Sequence, residues 1–88
     1  MKNCISGKTL VTNLHQQALD KASRGNWDGA HAIVENENDA LSCLIHGYLH
    51  RVEGDKFNAR YWYTRAGETM PSNSLDDEFV RISEMVNS

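Results

Sequence analysis

Twice in this chain a glycine is followed at once by Asn or Asp, and an aromatic and a small residue come soon after. The two stretches are Gly25-Asn26-Trp27-Asp28-Gly29-Ala30 and Gly54-Asp55-Lys56-Phe57-Asn58-Ala59. A glycine can end a helix in the left-handed conformation, and an Asx side chain can cap the next helix by accepting from its first free amides. Such a step folds one short helix back on another, so the chain is restricted to helix pairs. Pro71 is the sole proline, and no segment alternates apolar and polar residues as a strand does, so the periodicity is helical almost throughout.

The spacing predicts five helices. The first runs from about Thr9 to Ser23, with Val11, Leu14, Ala18 and Ala22 on one face, and stops at Gly25. Asn26 caps a second, from Trp27 to about Glu35, whose buried side is Ala30, Ile33 and Val34. The polar run Asn36 to Asp39 makes a turn, and Asn38 or Asp39 caps a third helix over Ala40 to Glu53. There Leu41, Leu44, Ile45, Tyr48 and Val52 form one apolar stripe. Gly54 ends that helix, Asp55 caps a fourth through Ala66, and Gly67 closes it. Ser74 followed by Asp77 has capping-box spacing ahead of a last amphipathic helix bearing Leu75, Phe79, Ile82 and Val86. Asp76, Asp77 and Glu78 fall in its first turn, where the helix dipole favours negative charge.

Ala30 and Ala59 stand 29 residues apart, each five positions after its glycine. The second copy, with Gly47, Gly54, Ala59, Trp62, Tyr63, Ala66 and Pro71, resembles a tetratricopeptide (TPR) or Sel1-like repeat: small residues at 47, 59 and 66, an aromatic at 63, a proline at 71. The first copy keeps Leu14, Ala18, Gly25, Ala30 and Val34 but is about five residues shorter than the usual period of about 34. The resemblance implies an all-α domain of two TPR-like antiparallel helix pairs, the first truncated, with a C-terminal capping helix. The segment from Leu49 to Gly67 (LHRVEGDKFNARYWYTRAG) is also similar to one found in small bacterial proteins to which no activity is attached. Repeat arrays usually need three or more units, so the fifth helix or a second subunit is expected to complete the core.

At 88 residues the chain makes one domain, with residues 1–8 expected as a flexible leader. Only roughly 60 to 65% of the unfolded surface can be buried at this size, which makes a homodimer a reasonable expectation. A net charge of -3 gives no long-range attraction to nucleic acid or anionic lipid. The two cysteines, Cys4 and Cys43, are too few for a disulfide framework. Met1 to Leu14 lacks the apolar run of a signal peptide, and no stretch is long enough to span a bilayer. The expected setting is the cytoplasm.

His46 and His50, four residues apart, and Glu53 three further on project from one helix face, with Cys43 one turn above. Two imidazoles and a carboxylate at this spacing can hold Zn²⁺. The repeat register, however, puts both histidines at packing positions against the aromatic fourth helix. Hydrogen-bonded packing histidines are therefore the plainer reading, and no cofactor is expected under it. His31 on the second helix is a further candidate, because stacked pairs can bring it towards His46 or His50, and three imidazoles would make a stronger site; His15 has a weaker case. Phe57, Tyr61, Trp62 and Tyr63 are mostly expected in the core, although an aromatic left exposed beside Arg60 or Arg65 suits a protein interface. Arg51, Arg60 and Arg65 can bind phosphate or carboxylate, but Glu53, Asp55 and Glu68 lie close, so local ion pairs are expected. No nucleophile elbow or glycine-rich phosphate loop occurs, and an enzyme is not expected.

Two functional expectations follow. The first is a small protein-interaction module, of TPR-like type and self-associating, with Trp62, Arg51 and Arg65 among its interface candidates. The second is a metal- or ligand-binding protein using His46, His50 and Glu53, with His31 beside them.

Overall fold

A computed structural model describes the backbone of residues 6–88 and the side chains from residue 14 onward. The described residues form five helices and no strand: α1 (Ser6–Ser23), α2 (Trp27–Val34), α3 (Ala40–Val52), α4 (Lys56–Arg65) and α5 (Leu75–Asn87). Helix α1 starts three residues before the expected Thr9. Val11 and Cys4 lie outside the residues whose side chains are described.

The glycines end helices as their sequence context requires. Gly25, Gly54 and Gly67 have φ of 78°, 88° and 83°. Past Gly25 the amide of Asn26 returns to the Lys21 carbonyl at 2.8 Å, and past Gly54 the amide of Asp55 returns to His50 at 2.8 Å. These bonds satisfy carbonyls that a helix end leaves orphaned. Asn26, Asp39, Asp55 and Ser74 each accept from the amide three residues on, which settles the cap of α3 on Asp39.

Helices α1 and α2 form one pair and α3 and α4 the other, and α5 packs across α3 and α1. Every residue from Ser42 to His50 is buried. A helix buried on all sides must be covered by several neighbours, and α3 touches the other four helices. Leu44, Ile45 and Leu49 meet Ala18, Leu19, Ala30, Val34, Tyr63, Ile82 and Val86 in one core. The α3–α4 approach is close because Gly47 has no side chain: a Cβ there would lie 2.8 Å from the Tyr63 ring. Val52, expected on the buried stripe, is 45% exposed, since it falls on the last turn of α3 beyond its neighbours' reach.

Of the acids at the start of α5, Asp76 and Asp77 are exposed and Glu78 is fully buried. Glu78 accepts from the Tyr63 hydroxyl at 2.6 Å, from Asn73 Nδ2 at 2.8 Å and from Arg81 Nε at 2.9 Å. Burial pushes its pKa up, but these donors outweigh burial and hold it down at about 2. This network ties the 68–74 connection and α5 to α4, so a carboxylate read as a surface dipole partner is instead the polar centre of the C-terminal half.

Candidate functional site

The imidazoles of His46 and His50 share a face of α3 because they are four residues apart. The short turn after Val34 folds α2 against that face, bringing in His31. Ring centroids are 4.6 Å apart for His31 and His46, 5.0 Å for His46 and His50, and 5.5 Å for His31 and His50. One nitrogen from each of the three lies within 4.8 Å of the others.

Two indoles flank the cluster. Trp27 stacks on His31 at 4.7 Å and meets His50 edge-on at 5.9 Å. Its Nε1 donates to the Leu49 carbonyl at 2.7 Å, which fixes the ring against α3. Trp62 stacks on His46 at 3.8 Å, and the Arg65 guanidinium lies 5.0 Å from the Trp62 ring centre. The four aromatics of α4 thus divide. Tyr63 is core and Trp62 is a half-buried wall of the cluster, whereas Phe57 (82% exposed) and Tyr61 (52% exposed) face outward, contrary to the expectation that most would be core.

Carboxylates back two of the imidazoles. Glu53 Oε2 sits 2.6 Å from His50 Nδ1, and Glu35 Oε1 sits 3.4 Å from His31 Nδ1. A carboxylate on one ring nitrogen fixes the tautomer and leaves the other nitrogen with its lone pair. Glu53, expected as a ligand beside His46 and His50, sits on His50 Nδ1 and groups with His50 and Asp55, while His31 groups with His46 and His50. His46 differs from both. Its Nδ1 is buried with no hydrogen-bond partner among the described residues. Burial first, then the neighbouring His31, His50 and Arg65, push its pKa down to about 4, so it is neutral near pH 7.

Such a set of donors suits a first-row divalent ion, for which imidazole is a preferred ligand. Zn–N bonds of about 2.0 to 2.1 Å in a tetrahedral site put nitrogens roughly 3.3 Å apart, so rotations that move each ring by on the order of 1 Å would close the three upon an ion. Cys43 plays no part: its thiol is buried beside the Asn38 carbonyl. His15 is buried too, joining α1 to the α3 cap through Asp39 at 2.8 Å and Ser42 at 3.1 Å. The remaining candidates, Arg51 and Arg65, have no carboxylate within ion-pair distance among the described residues. Arg51 donates to Asn73, while Arg65 donates to Asn38 and lies over Trp62.

Trp27 and Glu35 join the cluster without having been among the expected site residues. The signal was present as Trp27, His31 and Glu35 at successive i, i+4 positions on one helix face. Comparison with family models, with curated proteins and with solved structures gives no match to this chain.

Proposed function

We propose that the protein binds a divalent transition-metal ion of the zinc type through His31, His46 and His50, leaving a fourth position for water or an exogenous ligand. The supporting observation is the convergence of three imidazoles from two helices, one of them with a buried nitrogen that lacks a partner. An orphaned buried polar atom costs roughly 1 to 3 kcal/mol, and a metal bond to that atom would remove the cost. The two carboxylates on His31 and His50 play the supporting role that outer-shell acids play in metal sites. The role is binding rather than catalysis, in a TPR- or Sel1-like frame within the cytoplasm.

The test is thermal unfolding of protein made without a histidine tag, with and without Zn²⁺. Zinc at about one hundred times its Kd adds about 2.7 kcal/mol, and at this chain length each kcal/mol raises the melting temperature by roughly 4 to 8 °C. His31→Ala changes only a half-buried residue and should abolish the zinc shift with the fold retained. An unchanged melting temperature with zinc, or an equal shift in His31→Ala, refutes the proposal.

The second reading, a self-associating protein-interaction module, draws on the exposed Phe57 and Tyr61 beside Arg60 on α4. Aromatic and Arg side chains are enriched in interfaces. Light scattering should then give a dimer that Phe57→Ser dissociates; a monomer at all concentrations refutes it.

A further inference from the structure

The chain carries more acid than base, 12 Asp and Glu against 9 Lys and Arg, so most cations should find a carboxylate. Arg24 pairs with Asp20, and Arg81 pairs with Glu68 and Glu78. Among the described residues five other cations, Lys21, Arg51, Lys56, Arg60 and Arg65, do not, and three of these five share one place. Arg51, Lys56 and Arg60 line one open cleft of about 560 Å³, between the end of α3, the start of α4 and the connection that leads into α5. No acid lines that cleft, and among the described residues no carboxylate comes within 4.0 Å of any of the three.

Arg51 is also held in place. Its guanidinium donates to the side-chain and main-chain oxygens of Asn73. Both acceptors are neutral carbonyls, so they orient the group without cancelling its charge. Helix α4 opens at the cleft with Lys56, just past the Asp55 carboxylate that caps its first amides. Met70, Pro71 and Leu75 add apolar surface to the lining of the cleft.

We propose that this cleft binds a small organic phosphate monoester, its dianion held by Arg51, Lys56 and Arg60 and its organic part against Met70, Pro71 and Leu75. Three cations around one concavity repel each other, and a doubly charged oxyanion removes that repulsion while Arg offers paired N–H donors. The apolar surface and the volume, which falls in the range of small-molecule sites, favour a phosphate with a carbon body over the bare ion. A nucleic-acid backbone fits poorly, since the overall charge of -3 repels a polyanion beyond the cleft. Of the three arginines that the sequence marks for anion binding, Arg65 lies over Trp62 instead, and Lys56 takes its place. The site is independent of the histidine cluster.

Phenyl phosphate is a suitable probe, followed at low ionic strength through the backbone amide resonances of the full chain. The amides of Arg51, Lys56, Met70 and residues 72–75 should shift saturably at millimolar concentration, with inorganic phosphate weaker and benzyl alcohol inert. Lys56→Gln with Arg60→Gln changes two exposed residues, should leave the melting temperature unchanged and should weaken phenyl phosphate by about tenfold or more. Arg51→Lys keeps a charge but loses the fork, and should weaken it by less. Absence of saturable shifts, shifts spread over the whole surface, or equal affinity in the double variant overturns the proposal.

Discussion

Substituting Gly47 by alanine adds one methyl group where the two helices of the second pair meet. A Cβ at 47 lies 2.8 and 2.9 Å from two carbons of the Tyr63 ring and 3.2 Å from the Ala59 carbonyl oxygen. Carbon–carbon contacts are optimal near 3.5 to 4.0 Å, so the ring or the helix must retreat by roughly 0.7 to 1 Å. Neither moves freely. Tyr63 is fully buried, and its hydroxyl is fixed to Glu78 at 2.6 Å; the Ala59 oxygen belongs to the backbone of α4. Overpacking of this kind costs about 1 to 3 kcal/mol, against which alanine recovers about 1 kcal/mol of helix propensity. Gly47→Ala should therefore lose up to about 2 kcal/mol in urea unfolding followed by circular dichroism, and Gly47→Leu should lose more. In a Tyr63→Leu background the clash is relieved, so the same Gly47→Ala change should become less costly, giving a coupling of about 1 kcal/mol or more. Stabilisation of the parent protein by about 1 kcal/mol, as at an open mid-helix glycine, refutes the close approach.

Two further perturbations probe the polar framework. Glu78 has a folded pKa of about 2, below its ordinary 4.5, so its contribution is complete above about pH 5 and drains as pH falls towards 2. Glu78→Gln should cost about 1 to 3 kcal/mol at pH 7 and flatten the acid limb of the stability curve; an unchanged acid limb contradicts the network. Asp39→Ala removes both the α3 cap and the acceptor of buried His15 and should cost about 1 to 2 kcal/mol by thermal melting, with Asp39→Asn milder, whereas a cost for Asp39→Asn equal to that for alanine would show that the cap is immaterial.

Local chemistry made the helix ends legible. Gly25, Gly54 and Gly67 take the positive φ for which glycine is suited, and Asn26, Asp39, Asp55 and Ser74 cap the following helices within hydrogen-bond reach of their own chain. Burial was less legible wherever a distant segment decides it. Arg81, three residues on, is the one local partner of Glu78; the other donors that meet it, Tyr63 and Asn73, come from α4 and from the connection to α5. Arg51 likewise turns to Asn73, 22 residues away, and not to the nearby Glu53 and Asp55. The histidine pair was readable from its i, i+4 spacing, but its third member depends on how α2 lies on α3. Helical spacing also pointed to Glu53 without saying that, three residues after His50, it would sit on Nδ1 rather than share the coordination side.

Closure of His31, His46 and His50 on a metal ion can be followed by titrating the tag-free protein with Co²⁺. The chain's two tryptophans stack on His31 and His46 at 4.7 and 3.8 Å, so an open-shell ion at the cluster must quench both. Visible absorption bands of low-coordinate Co²⁺ should saturate at one ion per chain, with quenched tryptophan emission, both reversed by Zn²⁺ and both absent in His31→Ala. Featureless absorption with unchanged emission would show that the three imidazoles are packing groups alone.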